Sequence, residues 1–206
     1  MVKYWFFLKI PWHLWISYTG QNNKFNKKKK FDYIIDLGAA EGYHIISLLK
    51  KNHFKRGLAF EIDKKSRKIL EKNAKINNVH NRLSIFGEAN FLSLIKNLKN
   101  LEYKKLFFLV DIEGNEYNLF NKHFCKEFSK STFIIEEHPF NISNKKTIKN
   151  FYKNISKYYK LEILKDTSKD PFKINILDKY SDDEKYLMMS EGRPQTMHWL
   201  VLQPKK

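Results

Sequence analysis

Cysteine is nearly absent. Cys125 stands alone in 206 residues, which excludes an intramolecular disulfide framework and fits a reducing compartment. Arginine is scarce too: Arg56, Arg67, Arg82 and Arg193 are the only ones among 39 basic residues. Selective phosphate recognition favours the planar arginine fork. The net charge of +17 is therefore read as lysine spread along the chain by a compositional bias, with nucleic acid kept as a secondary partner. No uninterrupted run of about 20 apolar residues occurs, so no transmembrane helix is expected. A small-residue signal-cleavage site is also missing, and the expected location is the cytoplasm, with peripheral membrane contact as a variant.

A chain of this length with 42% hydrophobic residues can bury roughly 70% of its unfolded surface, enough for one α/β domain. That domain is expected over residues 31–206. Residues 1–30 read as a separate extension, in which Trp5, Trp12 and Trp15 stand beside Lys3 and Lys9 and Pro11 interrupts the apolar pattern. Three readings fit it: a lid packed on the domain, an interfacial membrane anchor, or a partner interface. The lysine-rich stretch from Gln21 to Lys30 reads as a solvated linker.

From Phe31 the pattern alternates. Apolar runs without polar alternation, at Tyr33–Leu37, Gly57–Ile62, Arg82–Phe86, Leu106–Ile112 and Thr132–Glu136, read as strands buried on both faces. Helical spacing occupies Tyr43–Asn52, Lys64–Asn77, Phe91–Leu98 and Glu116–Phe120, with Asp63 as an N-cap. A lysine-rich helix after Ile142, a strand near Leu161–Leu164, a polar segment from Asp166 to Gln195 and a last strand near His198–Leu202 complete the chain. The expected class is α/β, a doubly wound Rossmann-like sheet.

Each of the first five strands ends at or near an acid: Asp36, Glu61, Glu88, Asp111 and Glu136. In a parallel sheet these ends share the carboxyl edge, where ligands bind. Helix capping explains such acids one at a time, but less well five in succession. The first strand runs into a tight turn, Gly38-Ala-Ala-Glu-Gly42. A dinucleotide loop needs Gly-x-Gly-x-x-Gly, whereas here Ala40 stands between two glycines and no third follows. Asp36 and Glu41 flank the turn and would repel a pyrophosphate. A cationic ligand with an adenosine and no phosphate suits these residues better, and S-adenosylmethionine (SAM) is such a ligand.

Several stretches then resemble one superfamily in order. They are Ile35-Asp-Leu-Gly-Ala-Ala-Glu-Gly42, Leu58-Ala-Phe-Glu-Ile-Asp63, Asn73 with Asn77-Asn78, Val110-Asp-Ile-Glu-Gly-Asn-Glu116, Ile135-Glu-Glu-His-Pro139 and the closing Glu191-Gly-Arg-Pro194. The chain resembles the class I SAM-dependent methyltransferases, and more narrowly the FkbM family. That resemblance implies a seven-stranded, mostly parallel sheet with an antiparallel carboxyl-terminal strand. It assigns Asp36, Gly38, Ala40, Glu41 and Gly42 to the methionine end of the cofactor, and Glu61 and Ile62 to its ribose side. Glu88 and Ala89 fall at the adenine, and Asp111 beside the reacting methyl group.

The resemblance implies O-methylation of a small molecule or a sugar or glycan. A hydroxyl acceptor needs a proton acceptor, which makes Asp111 or His138 the candidate base, with Glu136 as a third catalytic residue. A variant has Asp111, Glu136 and His138 hold a divalent cation. Glu113, Glu137 and Arg193 are expected to meet the substrate, although a turn and a helix start account equally for Glu113 and Glu116. An RNA methyltransferase of the same fold and a non-catalytic cofactor-binding scaffold stand as alternatives.

Overall fold

In the computed structural model, which describes residues 31–165, 170–190 and 198–205 apart from the Lys165 side chain, the apolar runs become seven strands of one sheet. They are β1 (Tyr33–Leu37), β2 (Arg56–Phe60), β3 (Leu83–Phe86), β4 (Leu106–Val110), β5 (Thr132–Glu137), β6 (Tyr159–Lys165) and β7 (His198–Pro204). Their spatial order is β3-β2-β1-β4-β5-β7-β6. β1 to β5 run parallel, and β7 enters antiparallel between β5 and β6. The extension 1–30 and Arg193 lie outside the described residues.

Strand alternation sends side chains to two apolar layers. On one face Ile34, Ala59, Phe107, Leu109 and Ile134 pack against α1 (Tyr43–Lys50) and α2 (Lys64–Ile76). On the other, Ile35, Phe60, Phe108, Phe133 and Ile135 pack against α3 (Phe91–Leu98), α4 (Glu116–Leu119), α5 (Lys122–Glu127) and α6 (Lys145–Tyr158). Phenylalanine fills this second layer. The rings of Phe108 and Phe133 stack with centroids 4.4 Å apart, an arrangement that adds to plain area burial. Cys125 is buried there, and burial pushes its thiol up to about 12, so it is a packing residue.

Two helices depart from the sequence expectation. The first, α5, starts where Asn121 accepts the backbone N–H groups of His123 and Phe124. The second, α7 (Asp182–Met189), lies inside the stretch read as merely polar. It carries no apolar stripe, and a Ser181–Glu184 capping box starts it. β6 is longer than expected at both ends because β7 pairs with it from Tyr159 to Lys165.

β1 has β2 on one side and β4 on the other, so the chain reverses its winding between β1 and β4. Such a switch point opens a crevice at the carboxyl ends of the two strands. Here the crevice floor is drawn tight. Gly38 has φ +82°, and a Cβ at this position would stand 1.8 Å from the Asp111 carbonyl oxygen. Gly38→Ala is expected to lower the unfolding free energy by about 3 kcal/mol in urea titrations. Gly87→Ala, whose added methyl meets nothing within 4 Å, should change it by less than about 0.5 kcal/mol. Equal effects would remove the close-approach argument.

Candidate active site at the sheet switch point

The turn after β1 is held from both flanks. The Gly38 and Ala39 amides both donate to the Phe60 carbonyl, at 2.9 and 3.1 Å. Gly42 lies under Leu70 of α2, whose Cδ1 would stand 2.0 Å from an added Cβ. Asn73 of the same helix donates through Nδ2 to the Glu41 carbonyl at 3.0 Å. Ala40 adopts φ +45°, a left-handed conformation that costs an L-residue roughly 1–2 kcal/mol. Its amide donates to Glu61 Oε2 at 2.8 Å, while Asp63 N–H donates to Oε1 at 2.8 Å. An ionised carboxylate offers about four acceptor positions, so Glu61 is oriented by two amides and retains capacity for two further donors.

Around Glu61 the edge is open. Ile62 is 72% exposed, an apolar face at the rim of the crevice. Glu88 is also exposed and accepts Asn90 Nδ2 at 3.0 Å, and Ala89 beside it is half-buried.

Asp36 is buried at the end of β1. Burial, then the charges of Asp111 and Glu61, push its carboxyl up to about 8, against a smaller lowering by a hydrogen bond from the Ile45 amide. Its Oδ2 is buried and makes no hydrogen bond among the described residues. A buried carboxyl oxygen without a donor costs free energy, and near an open crevice it marks a place for a cation or an N–H donor.

The second half of the site centres on His138. Its backbone N–H donates to Glu116 Oε1 at 2.9 Å, and its ring Nδ1 lies 3.3 Å from the same oxygen. Glu116 Oε2 accepts the Gly114 amide at 2.8 Å, and the residue is wholly buried. Ring Nε2 faces the other way, 3.6 Å from Asp111 Oδ1 and 3.5 Å from Glu113 Oε2. Burial alone would lower the imidazole pKa. The Glu116 hydrogen bond and the charges of Glu116, Asp111 and Glu113 outweigh it, and the net direction is upward. Glu113 reaches this position through a left-handed turn, φ +53° followed by Gly114 at +100°. Asn141 Nδ2 steadies the turn by donating to the Glu113 carbonyl at 3.1 Å.

The sequence-derived residues therefore fall into groups. Asp36, Glu61 and Asp111 converge electrostatically at the switch point. His138 meets Asp111, but the third donor around it is Glu113, not Glu136. Glu136 is buried on the opposite sheet face from Glu137. Glu137, expected to meet substrate, is tied into the helical layer, where the Tyr117 and Tyr152 hydroxyls donate to its Oε1 at 2.9 and 2.7 Å. Glu116 as the holder of His138 was not anticipated. Its signal was the spacing Asp111, Glu113, Glu116 around Gly114, ahead of a histidine at an apolar strand end.

A raised carboxyl pKa fixes the sign of a stability effect. Between its ordinary value of 3.8 and about 8, Asp36 binds more protons in the folded than in the unfolded state. Stability due to this group is present at low pH and is lost as pH rises through that window. Asp36→Asn, neutral throughout, should raise the melting temperature at pH 7.5 by roughly 5 °C and leave it nearly unchanged at pH 4. Calorimetric scans at both pH values check this, and destabilisation at pH 7.5 would contradict it.

No protein-family model and no curated protein sequence matches the chain. Solved structures do. An O-methyltransferase from Bacillus cereus in complex with SAH is similar at 17% identity and TM-score 0.60, over 93% of this chain and 78% of that one. The O-methyltransferase TomG from Streptomyces achromogenes in complex with SAM matches at 9% identity and TM-score 0.60, over 86% and 75%. The tRNA methyltransferase TrmK from B. subtilis matches at 10% identity and TM-score 0.52, over 86% and 62%. At such identities the likeness establishes architecture: the chain has the seven-stranded fold of class I methyltransferases.

Proposed function

We propose that this chain is a SAM-dependent methyltransferase acting on an oxygen of a small molecule or glycan, in the manner of the FkbM family. The observation that carries the reading is the buried Asp36 carboxyl, beside Glu61 and Asp111, with an oxygen left without a donor at a sheet switch point. A chain of net charge +17 that assembles acids here is shaped for a cationic ligand. Asp36 meets the ammonium of the methionine portion, and the Gly38–Gly42 turn lets backbone approach it. Glu61, already aimed by the Ala40 and Asp63 amides, takes the ribose hydroxyls. The exposed face of Ile62 covers the adenosine, with Glu88 and Ala89 at its far end.

When bound, SAM supplies a sulfonium methyl group: a carbon–oxygen bond to the acceptor forms as the sulfur–carbon bond breaks, its electron pair staying on sulfur, and the hydroxyl proton departs. The chain's task is to hold acceptor and donor in line, which accounts for much of such a rate enhancement, and to take up that proton. The cluster at Asp111 and His138 does the second, with Glu116 fixing the ring so that Nε2 faces the crevice.

Incubation with methyl-labelled SAM and separate panels of hydroxylated small molecules, glycans and RNA tests the assignment. Label in a hydroxyl of the first two classes is expected. Label in RNA would transfer the reading to the RNA methyltransferases, and donor binding without transfer to any panel would favour a scaffold. Hydrogen bonds to a charged group contribute about 1.5–3 kcal/mol each. Glu61→Ala should therefore weaken SAM binding at least about tenfold by calorimetry, and unchanged affinity would place the ribose elsewhere.

A further inference from the structure

We propose that Asp111, Glu113 and His138 form a binding site for a first-row divalent transition-metal cation, with Glu116 as the positioning residue behind the histidine. One donor atom from each of the three lies within 4.8 Å of the others. Asp111 and Glu113 come from the loop leaving β4, and His138 directly follows β5. The strands are hydrogen-bonded neighbours in fixed parallel register, so the sheet itself sets the separation of the donors.

A second observation points to a ligand independently of the acids. Glu116, wholly buried, takes both the backbone N–H and the ring Nδ1 side of His138 on one oxygen. The Glu116 carboxylate thus stands behind the ring on its Nδ1 side, as in the carboxylate–histidine pairs that orient metal-ligating imidazoles, and Nε2 is left on the opposite side. The ring is 3% exposed and cannot swing away. Its Nε2 then faces Asp111 Oδ1 at 3.6 Å and Glu113 Oε2 at 3.5 Å. The Asp111 and Glu113 carboxylates gathered beside Nε2 repel each other, and a cation among the three donor atoms relieves that repulsion. Both separations exceed the 2.7–3.2 Å typical of an N–H···O hydrogen bond, so a proton alone bridges them poorly. Ligands about 2.1 Å from one ion stand roughly 3.0–3.4 Å apart, and small side-chain movements reach that spacing.

The donor set selects the class of ion. One imidazole nitrogen and two carboxylate oxygens suit manganese, iron or zinc, whereas calcium and magnesium favour all-oxygen shells. The Glu113 side chain is 71% exposed, which leaves an entry path and open positions for water or an acceptor oxygen. The cation site stands on its own geometry; that the bound ion would lower the pKa of an acceptor hydroxyl, in place of direct proton uptake at Nε2, rests on the methyl-transfer reading above.

Calorimetric titration of the full chain with manganese(II) chloride, paired with electron paramagnetic resonance of the free ion, tests the site. Saturable uptake of one ion per chain is expected. Glu113→Gln and His138→Gln should each weaken it at least about tenfold, Glu116→Gln by about tenfold, and the surface control Glu102→Gln not at all. Glu113 is exposed, so its replacement folds even where a change at buried His138 does not. No saturable uptake, or equal affinity in the wild type and Glu113→Gln, would overturn the proposal. SAM titrated in separate runs keeps the two readings apart. Manganese uptake without donor binding removes the transferase alone, and donor binding without uptake removes the cation site alone.

Discussion

The close approach of Gly38 to the Asp111 carbonyl is the constraint on which the rest of the crevice depends. With 1.8 Å between that oxygen and the place of a Cβ, only glycine lets β1 and β4 end side by side. Their terminal carboxylates are thereby brought into mutual range, and Glu61 joins them from β2. Each later feature follows from this convergence. Asp36 is pushed toward its neutral form, Ala40 is bent into a left-handed conformation that Glu61 steadies, and Asp111 faces the histidine that leaves β5.

Such an edge is costly to maintain. Acids crowded in a buried place repel one another and lack the water that would solvate them. The free energy comes from the two apolar layers, where Phe108, Phe120, Phe124 and Phe133 are wholly buried. Unfavourable electrostatics set against a well-packed scaffold is the ordinary signature of a functional site. The distribution of charge fits this contrast: lysines cover the outer helices, while the carboxyl edge keeps its acids.

The five parallel strands were legible because they are largely apolar runs. Tyr33–Leu37 and Phe91–Leu98 stand at the boundaries the sequence indicates. α7 was not legible, since a polar helix started by a capping box has no apolar period to read. At the site, the acids at strand ends were visible as a spacing, and parallel pairing places them on one edge. Which way each side chain turns was not visible. Glu136 and Glu137 are adjacent in sequence, yet alternation sends them to opposite faces and gives Glu137 to two tyrosine hydroxyls. Glu113 needed the left-handed turn at 113–114 to reach His138. Glu116 looked like a helix-start acid, and only the fold places it behind the imidazole.

What unites these features is the proposal that the carboxyl edge between β1 and β4 is built for a cationic adenosyl ligand in preference to a phosphate-bearing one. Amide hydrogen exchange tests it most directly, because the Gly38–Gly42 turn, the Glu61–Asp63 segment and the loop after β4 should all slow when such a ligand binds. The account predicts protection of these three segments by SAM, and none by NAD at the same concentration. Equal protection by both, or protection confined to other parts of the chain, would contradict it.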